Sequence, residues 1–152
     1  MKRQFGLALA LAVLVGSGAA LAVDPAAAIK ERQEFYKELG KNAKGIGDEL
    51  KKPEPSMADI QKMAAAIDAA APKIPSLFPA GTGPEAGVKT SAKAEIWQKG
   101  DAFKAAADKL VPAAHALDAA AKSGDIAAVK AAMPAVGGAC KGCHEEFRTQ
   151  EH

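Results

Sequence analysis

Four stretches of the chain repeat their apolar residues at the spacing of an amphipathic α-helix, and this pattern constrains the fold most strongly. In the first stretch, Ile29, Tyr36, Ala43 and Leu50 follow one another at intervals of seven residues. The four stretches cover residues 29–50, 57–71, 96–121 and 126–147. No run shows the apolar–polar alternation of a β-strand. The sequence therefore predicts an all-α protein, an antiparallel four-helix bundle.

Prolines and glycines mark the positions where these helices are expected to stop or bend. Residues 72–90 contain four prolines and three glycines, which predicts a loop without regular structure. This loop is expected either to cover the edge of a ligand or to serve only as a crossover between helices. Pro112 and Pro134 lie inside predicted helices and are expected to kink or interrupt them.

The first 22 residues have the pattern of a secretory signal peptide. Lys2 and Arg3 precede an apolar core, and Ala22 ends a small-residue cleavage site. The apolar core is short for a membrane span, although an uncleaved anchor is the alternative. Cleavage after Ala22 would export residues 23–152 as one periplasmic domain with no membrane insertion. Because Lys2 and Arg3 account for the net charge of +2, the rest of the chain is balanced, which argues against nucleic-acid binding.

Both cysteines of the chain lie in the segment Cys140-Lys141-Gly142-Cys143-His144. Cys-x-x-Cys-His is the attachment motif of haem c, in which two thioethers hold the porphyrin and the histidine supplies an axial nitrogen. Offsets of three and four place these side chains on one side of a helix. The motif predicts one covalently bound haem c with His144 on the iron. A disulfide or thioredoxin-like motif is the alternative, but it requires a βαβ context.

The residue on the opposite face of the iron decides whether the site carries electrons or binds gases. His115 lies opposite the apolar stripe of its helix, and His152 is the terminal residue. Met133 shares the helix of His144 and cannot reach the other face. Met57 and Met63 lie on the second helix, where methionine more often fills a core. No strong sixth ligand emerges from the sequence.

The chain resembles cytochrome c′, the class II c-type cytochromes, from about Ile29 to Arg148. The haem motif on the last helix of an exported bundle carries the resemblance. Three further segments support it: Arg32-Gln33, Phe78-Pro79-Ala80-Gly81-Thr82 and Glu95-Ile96-Trp97. The resemblance implies a homodimer in the periplasm. Its iron would be five-coordinate and would bind nitric oxide or carbon monoxide. It would also exchange single electrons with redox partner proteins.

The resemblance also implies roles for individual residues. Arg32 and Gln33 would bind the haem propionates; the alternative for Arg32 is a buried stem with its charge at the surface. Tyr36 would cover the vacant face of the iron; the alternative is a ligating phenolate, which requires deprotonation from a pKa of about 10. Low-spin relatives similar to cytochrome c-556 place a methionine ligand where this chain has Leu39. Glu95 and Trp97 would contact the haem edge, with an ordinary core position as the equal alternative for Trp97.

Three further alternatives stay open at this point, one for the role of Arg148 and two for the class of protein. Arg148 follows His144 by four residues, so it either tunes the iron or is a solvated charge. A low-spin electron carrier would need Met57, Met63 or an unexpected residue as its sixth ligand. A peroxidase or nitric oxide reductase would need a distal acid–base group, and the histidines are poorly placed for one. The expectation is therefore a protein that is not an enzyme.

Overall fold

The computed structural model describes residues 23–149, which are mostly helical. Six α-helices occur in this part of the chain: α1 (Pro25–Glu49), α2 (Met57–Ala70), α3 (Glu95–Gln98), α4 (Gly100–Asp108), α5 (Leu110–Ser123) and α6 (Ile126–Phe147). The predicted signal peptide and His152 lie outside the described residues. Over 23–149, no helix combines the length and hydropathy needed to cross a bilayer.

The predicted four-helix bundle is confirmed, with the consecutive helices α3 to α5 forming its third member. α5 packs against both α2 and α6, while α1 packs against α2 and α4 packs against α6. The core consists mainly of small and medium apolar side chains from every member, together with Phe103 and Phe147. Its fully buried positions include Ile29, Ile46, Ile60, Ala64, Ile67, Ala114, Leu117, Ala121 and Val129.

The predicted third helix is not continuous, and the reason differs at its two interruptions. At Lys99 the backbone leaves the helical region, with φ −123° and ψ 50°. At Lys109 the backbone stays helical, with φ −62° and ψ −25°. There Pro112 lacks the N–H that would donate to the carbonyl of Asp108. The expected effect of Pro112 is thus confirmed, whereas Pro134 does not interrupt α6.

The segment between α2 and α3 is more regular than its prolines and glycines predicted. Two 3₁₀-helices, Ala71–Leu77 and Pro84–Ala86, correct the expectation of a loop without regular structure. The first continues directly from α2 and buries Ile74 in the core. Pro72 lacks the N–H that would continue the α-helical hydrogen bonds to the Asp68 carbonyl, which fits the change from α-helix to 3₁₀-helix at this point. The crossover is therefore anchored to the bundle.

Both ends of α6 are fixed by hydrogen bonds from outside the helix. The Asp125 side chain caps the start by accepting from the Ala127 N–H at 2.8 Å. At the other end the Lys93 ammonium donates to the carbonyls of Glu145 and Glu146, at 3.2 and 3.1 Å. Such a cation also complements the negative end of the helix dipole.

A short backbone pairing reinforces this C-terminal end of α6. The Lys93 N–H donates to the Phe147 carbonyl at 3.0 Å, and the Thr149 N–H donates to the Ser91 carbonyl at 2.8 Å. Ala92 and Arg148 form an isolated antiparallel bridge between these bonds. Residues 91–93 therefore clasp the end of the helix that carries the cysteine motif.

We expect Asp125→Ala to destabilise the protein by about 1 kcal/mol, because it removes an N-cap acceptor from an exposed position. Asp125→Asn keeps a capping oxygen and serves as the matched control. Urea unfolding followed by circular dichroism measures both. Equal stability of Asp125→Ala and the parent protein would contradict the assigned cap.

Candidate functional site

A cavity of about 460 Å³ opens between α1, α4, α5, α6 and the crossover segment. Its volume lies within the range of about 300–1,000 Å³ that is typical of ligand pockets. Cys140, Cys143 and His144 all line it from α6. Both cysteines are free and half-buried. The helix thus presents two thiols and one imidazole to the same cavity, as their spacing predicted.

The walls facing these three residues are apolar. The aliphatic and aromatic lining residues come from every member of the bundle: Leu39, Ala43, Ile67, Ile74, Phe78, Ile96, Phe103, Ala106, Ala107, Leu110, Val136, Ala139 and Phe147. Phe78, Phe103 and Phe147 form a chain of edge-to-face contacts, with centroid distances of 4.8 and 5.3 Å. A flat hydrophobic ligand matches such a lining.

The charged residues that line the cavity are all basic. Arg32 and Lys37 contribute from α1, and Arg148 contributes from beyond the end of α6. No aspartate or glutamate of residues 23–149 lines it. The electrostatics therefore favour a ligand that carries negative charge.

Arg32 is buried, with 3% of its surface exposed, and its guanidinium holds the crossover segment. Nη1 donates to Thr82 Oγ1 at 3.2 Å. Nη2 donates to the Thr82 carbonyl at 3.0 Å and to Thr90 Oγ1 at 2.9 Å. The guanidinium carbon lies 4.5 Å from the centre of the Phe78 ring. Burial lowers the pKa of Arg32 from its usual range.

The charge of Arg32 has no acidic partner in the part of the chain that the structure describes. Every ion pair there joins other residues. A buried cation normally requires an anionic partner. Since Arg32 lines the cavity, an anionic group of the ligand is the partner that fits.

Gln33 and Lys37 lie next to Arg32 at the mouth of the cavity. The Gln33 amide donates from Nε2 to the Lys89 carbonyl at 3.0 Å. Gln33 is therefore tied to the same crossover segment as Arg32, and one N–H of its amide stays available.

Tyr36 is half-buried in the cavity wall and contacts two other aromatic rings. The ring centres of Phe35 and Phe78 lie 5.7 and 6.3 Å from that of Tyr36, both in edge-to-face geometry. Burial strongly raises the pKa of Tyr36, and repulsion from the negative charge of an ionised Cys143 raises it further. Tyr36 is consequently a neutral phenol at physiological pH.

Trp97 and Glu95 do not line the cavity. Trp97 instead donates from Nε1 to the carbonyls of Phe78 and Pro79, at 3.2 and 3.0 Å. Gly83 packs so closely that a Cβ there would lie 2.9 Å from the Trp97 ring. Trp97 thus fixes the segment whose Phe78 side chain does line the cavity.

The other histidine and methionines proposed as iron ligands lie away from the cavity. His115 is exposed on α5, with its Nδ1 3.7 Å from an Asp68 carboxylate oxygen. Met63 packs between α1 and α2, near Gly45. Neither Met57 nor Met133 lines the cavity. Among the described residues, His144 is the only histidine or methionine on its walls.

Burial shifts the titration of the motif residues toward their neutral forms. The pKa of His144 is lowered by desolvation and by the charge of Arg148. The pKa values of the Cys140 and Cys143 thiols are raised, chiefly by desolvation. A neutral imidazole is the form that can bind a metal.

Sequence reasoning missed the roles of Thr82 and Thr90. The segment from Phe78 to Thr82 stood out by resemblance, but nothing indicated that Thr82 would bind Arg32. Thr90 gave no signal at all, because a threonine in an aperiodic loop is unremarkable. Both contacts span 50 or more residues of sequence.

Comparison with known proteins agrees with this geometry. The sequence model of the family described as cytochrome C′ matches residues 27–148. The chain belongs to the cytochrome c′ family. The cytochrome c′ of Pararhodospirillum photometricum is 44% identical over 125 residues, which are 82% of this chain and 98% of that protein.

Solved cytochrome c′ structures share the fold. One, described as having an unusual ligand-controlled dimer dissociation, has a TM-score of 0.79 at 33% identity and covers 85% of this chain and 99% of its own. A nitric oxide complex of a cytochrome c prime variant from Alcaligenes xylosoxidans has a TM-score of 0.74 at 26% identity, covering 84% and 98%.

The cavity fits the haem c that cytochromes c′ hold covalently, one per chain. Cys140 and Cys143 are the two cysteines of the chain, and both face the cavity as free thiols. The apolar walls match a porphyrin, and the unpaired Arg32 matches a propionate. This chain is accordingly a haem c protein.

We expect Tyr36, the single tyrosine of the chain, to stay mostly protonated at about pH 11 in the haem-free protein, because burial raises its pKa. An exposed tyrosine, with a pKa of about 10, would be mostly ionised there. The unfolded chain loses this proton first, so stability should fall as pH rises above about 10.

Ultraviolet absorbance of the phenolate measures this titration, with the guanidinium-unfolded chain as the control. An identical midpoint in the folded and unfolded chains would contradict the burial of Tyr36.

Proposed function

We propose that the protein is a periplasmic monohaem cytochrome c′ whose five-coordinate iron binds nitric oxide or carbon monoxide and passes single electrons. The observation that carries this proposal is the composition of the cavity wall. Across residues 23–149, that wall offers one imidazole, from His144, and no thioether. A haem held there would have one protein ligand and one open face.

The proximal side is assigned to α6. Cys140 and Cys143 would form the thioethers, and neutral His144 would supply the axial nitrogen. The bound haem supplies an iron that can take a small ligand at an open position and exchange one electron. The hydrogen bonds that Lys93 and Ser91 make with the C-terminal end of α6 would hold His144 in place.

The distal side is assigned to α1. Leu39 lines the cavity with an aliphatic side chain that cannot bind iron. Tyr36 lines it as a neutral phenol, since its raised pKa opposes formation of a ligating phenolate. We assign Tyr36 the role of a lid that limits the size of an entering ligand.

The basic mouth of the cavity is assigned to the propionates. Arg32 and Gln33 would bind them, as the resemblance implied. Arg148 lines the same cavity from the α6 side and would add a positive charge near His144. Trp97 would contribute indirectly, through Phe78.

The relatives support the gas-binding and dimer proposals. A structurally similar cytochrome c prime has been solved as a nitric oxide complex. Another undergoes ligand-controlled dimer dissociation, which supports a homodimer here. Exchange of electrons with redox partner proteins, export by residues 1–22 and the absence of an enzymatic activity remain predictions from the sequence.

The ferrous spectrum with and without carbon monoxide tests this function. We expect broad high-spin visible bands and a large Soret change on addition of carbon monoxide, because the distal face is open. Leu39→Met is the matched variant, since it conserves volume and adds a thioether. It should give split low-spin bands and weaker gas binding. Split bands in the parent protein that ignore carbon monoxide would instead support the low-spin carrier.

We expect Tyr36→Ala to bind carbon monoxide about tenfold more tightly, because loss of roughly 1.4 kcal/mol of steric cost corresponds to that factor. Tyr36→Phe keeps the ring and should leave the affinity nearly unchanged. Equilibrium titration of the ferrous holoprotein measures both. Equal affinities of Tyr36→Ala and the parent protein would exclude a steric lid.

A further inference from the structure

The hydroxyl proton of Thr90 is not donated to any residue in the described chain. A threonine hydroxyl can accept two hydrogen bonds and donate one. Thr90 Oγ1 accepts from Arg32 Nη2 at 2.9 Å and from the Ala92 N–H at 3.2 Å. Both lone pairs are thus occupied, and only the hydroxyl proton remains. Thr90 lines the haem cavity, so this proton is available to a group inside it.

Thr82 makes a similar contact with Arg32 but has no such proton left. Thr82 Oγ1 accepts from Arg32 Nη1 and donates to the Pro79 carbonyl at 2.8 Å. It is fully buried and does not line the cavity. The two threonines therefore accept hydrogen bonds from the same guanidinium, and of the two only Thr90 lines the cavity.

The guanidinium itself keeps donors free for the same group. Three of its five N–H groups are used, one on Nη1 and two on Nη2. The second Nη1 hydrogen and the Nε hydrogen make no bond to a described residue. Arg32 and Thr90 thus present a cation and a neutral O–H side by side, a combination that suits a carboxylate.

From these observations we infer that the Thr90 hydroxyl donates a hydrogen bond to a haem propionate, alongside Arg32. This inference rests on the haem c of the proposed function, but not on an open iron. Thr90 then has two tasks. It fixes the guanidinium by accepting, and it binds the carboxylate by donating.

Such a bond would favour the ionised propionate, because a donor to the charged form lowers the pKa of an acid. The charged residues that line the cavity are Arg32 and Lys37 from α1 and Arg148 from the end of α6. His144 also lines the cavity but is the assigned iron ligand. Lys89 belongs to the crossover segment, where its carbonyl binds Gln33.

The test is a pH titration of the reduction potential of the holoprotein, combined with infrared spectroscopy of the carboxylate stretch. Thr90→Val should raise the redox-linked propionate pKa by about one unit, since hydrogen bonds to charged groups are worth that much. It should also shift the carboxylate band. Thr90→Ser restores a hydroxyl and should return both values to those of the parent protein.

Thr82→Val is the matched control for an effect that acts only through Arg32. It removes an acceptor of the guanidinium, but its hydroxyl has no free proton to give the propionate. A larger shift in Thr90→Val than in Thr82→Val supports the inference. Equal shifts in the two variants, or no shift in Thr90→Val, overturn it. Carbon monoxide binding is a separate readout, so failure of the proposed open iron would not alter this result.

Discussion

The buried guanidinium of Arg32 connects the parts of the molecule that build the cavity. It belongs to α1, binds Thr82 and Thr90 of the crossover, and lies over the ring of Phe78. No carboxylate in the described chain neutralises it. The polypeptide alone therefore carries the cost of an unpaired buried cation. Binding an anionic ligand in the cavity offsets that cost, so the apoprotein is electrostatically prepared for its cofactor.

The two faces of the cavity differ in how completely chemistry is specified. On α6, three residues in five positions supply two thiols and a nitrogen, and each has a role in the proposed binding of the haem. On α1, neither Tyr36 nor Leu39 offers the iron a competent ligand, so these two residues would leave its distal position open. Gas binding would then depend on the shape of the distal wall and on the absence of a protein ligand there, whereas attachment of the haem would depend on covalent bonds to the cysteines.

The bundle, and the position of Cys140, Cys143 and His144 along one cavity wall, could be predicted because their signals are local. A seven-residue repeat is read within one helix, and Cys-x-x-Cys-His is read within five positions. The break at Lys99 escaped because Ile96 and Phe103 keep their spacing on either side of it.

The contacts of Arg32 could not be predicted in the same way. Its partners lie 50 and 58 residues away, in a segment without periodicity. Trp97 was expected at the haem edge by resemblance, but it lies behind Phe78 and acts on the crossover. The pairing of side-chain donors and acceptors across loops can be identified only from a three-dimensional structure.

The number of residues in segment 90–93 limits the width of the haem slot between α1 and α6. Thr90 is bonded to α1 through Arg32, and Lys93 is bonded to the end of α6. An extended chain advances by at most about 3.3–3.6 Å per residue, so these four residues set an upper limit on the separation of the two helices at this point. Adding or deleting one residue between Thr90 and Lys93 would change the width of the slot available to a rigid porphyrin, while the thiols and the imidazole of α6 stay the same.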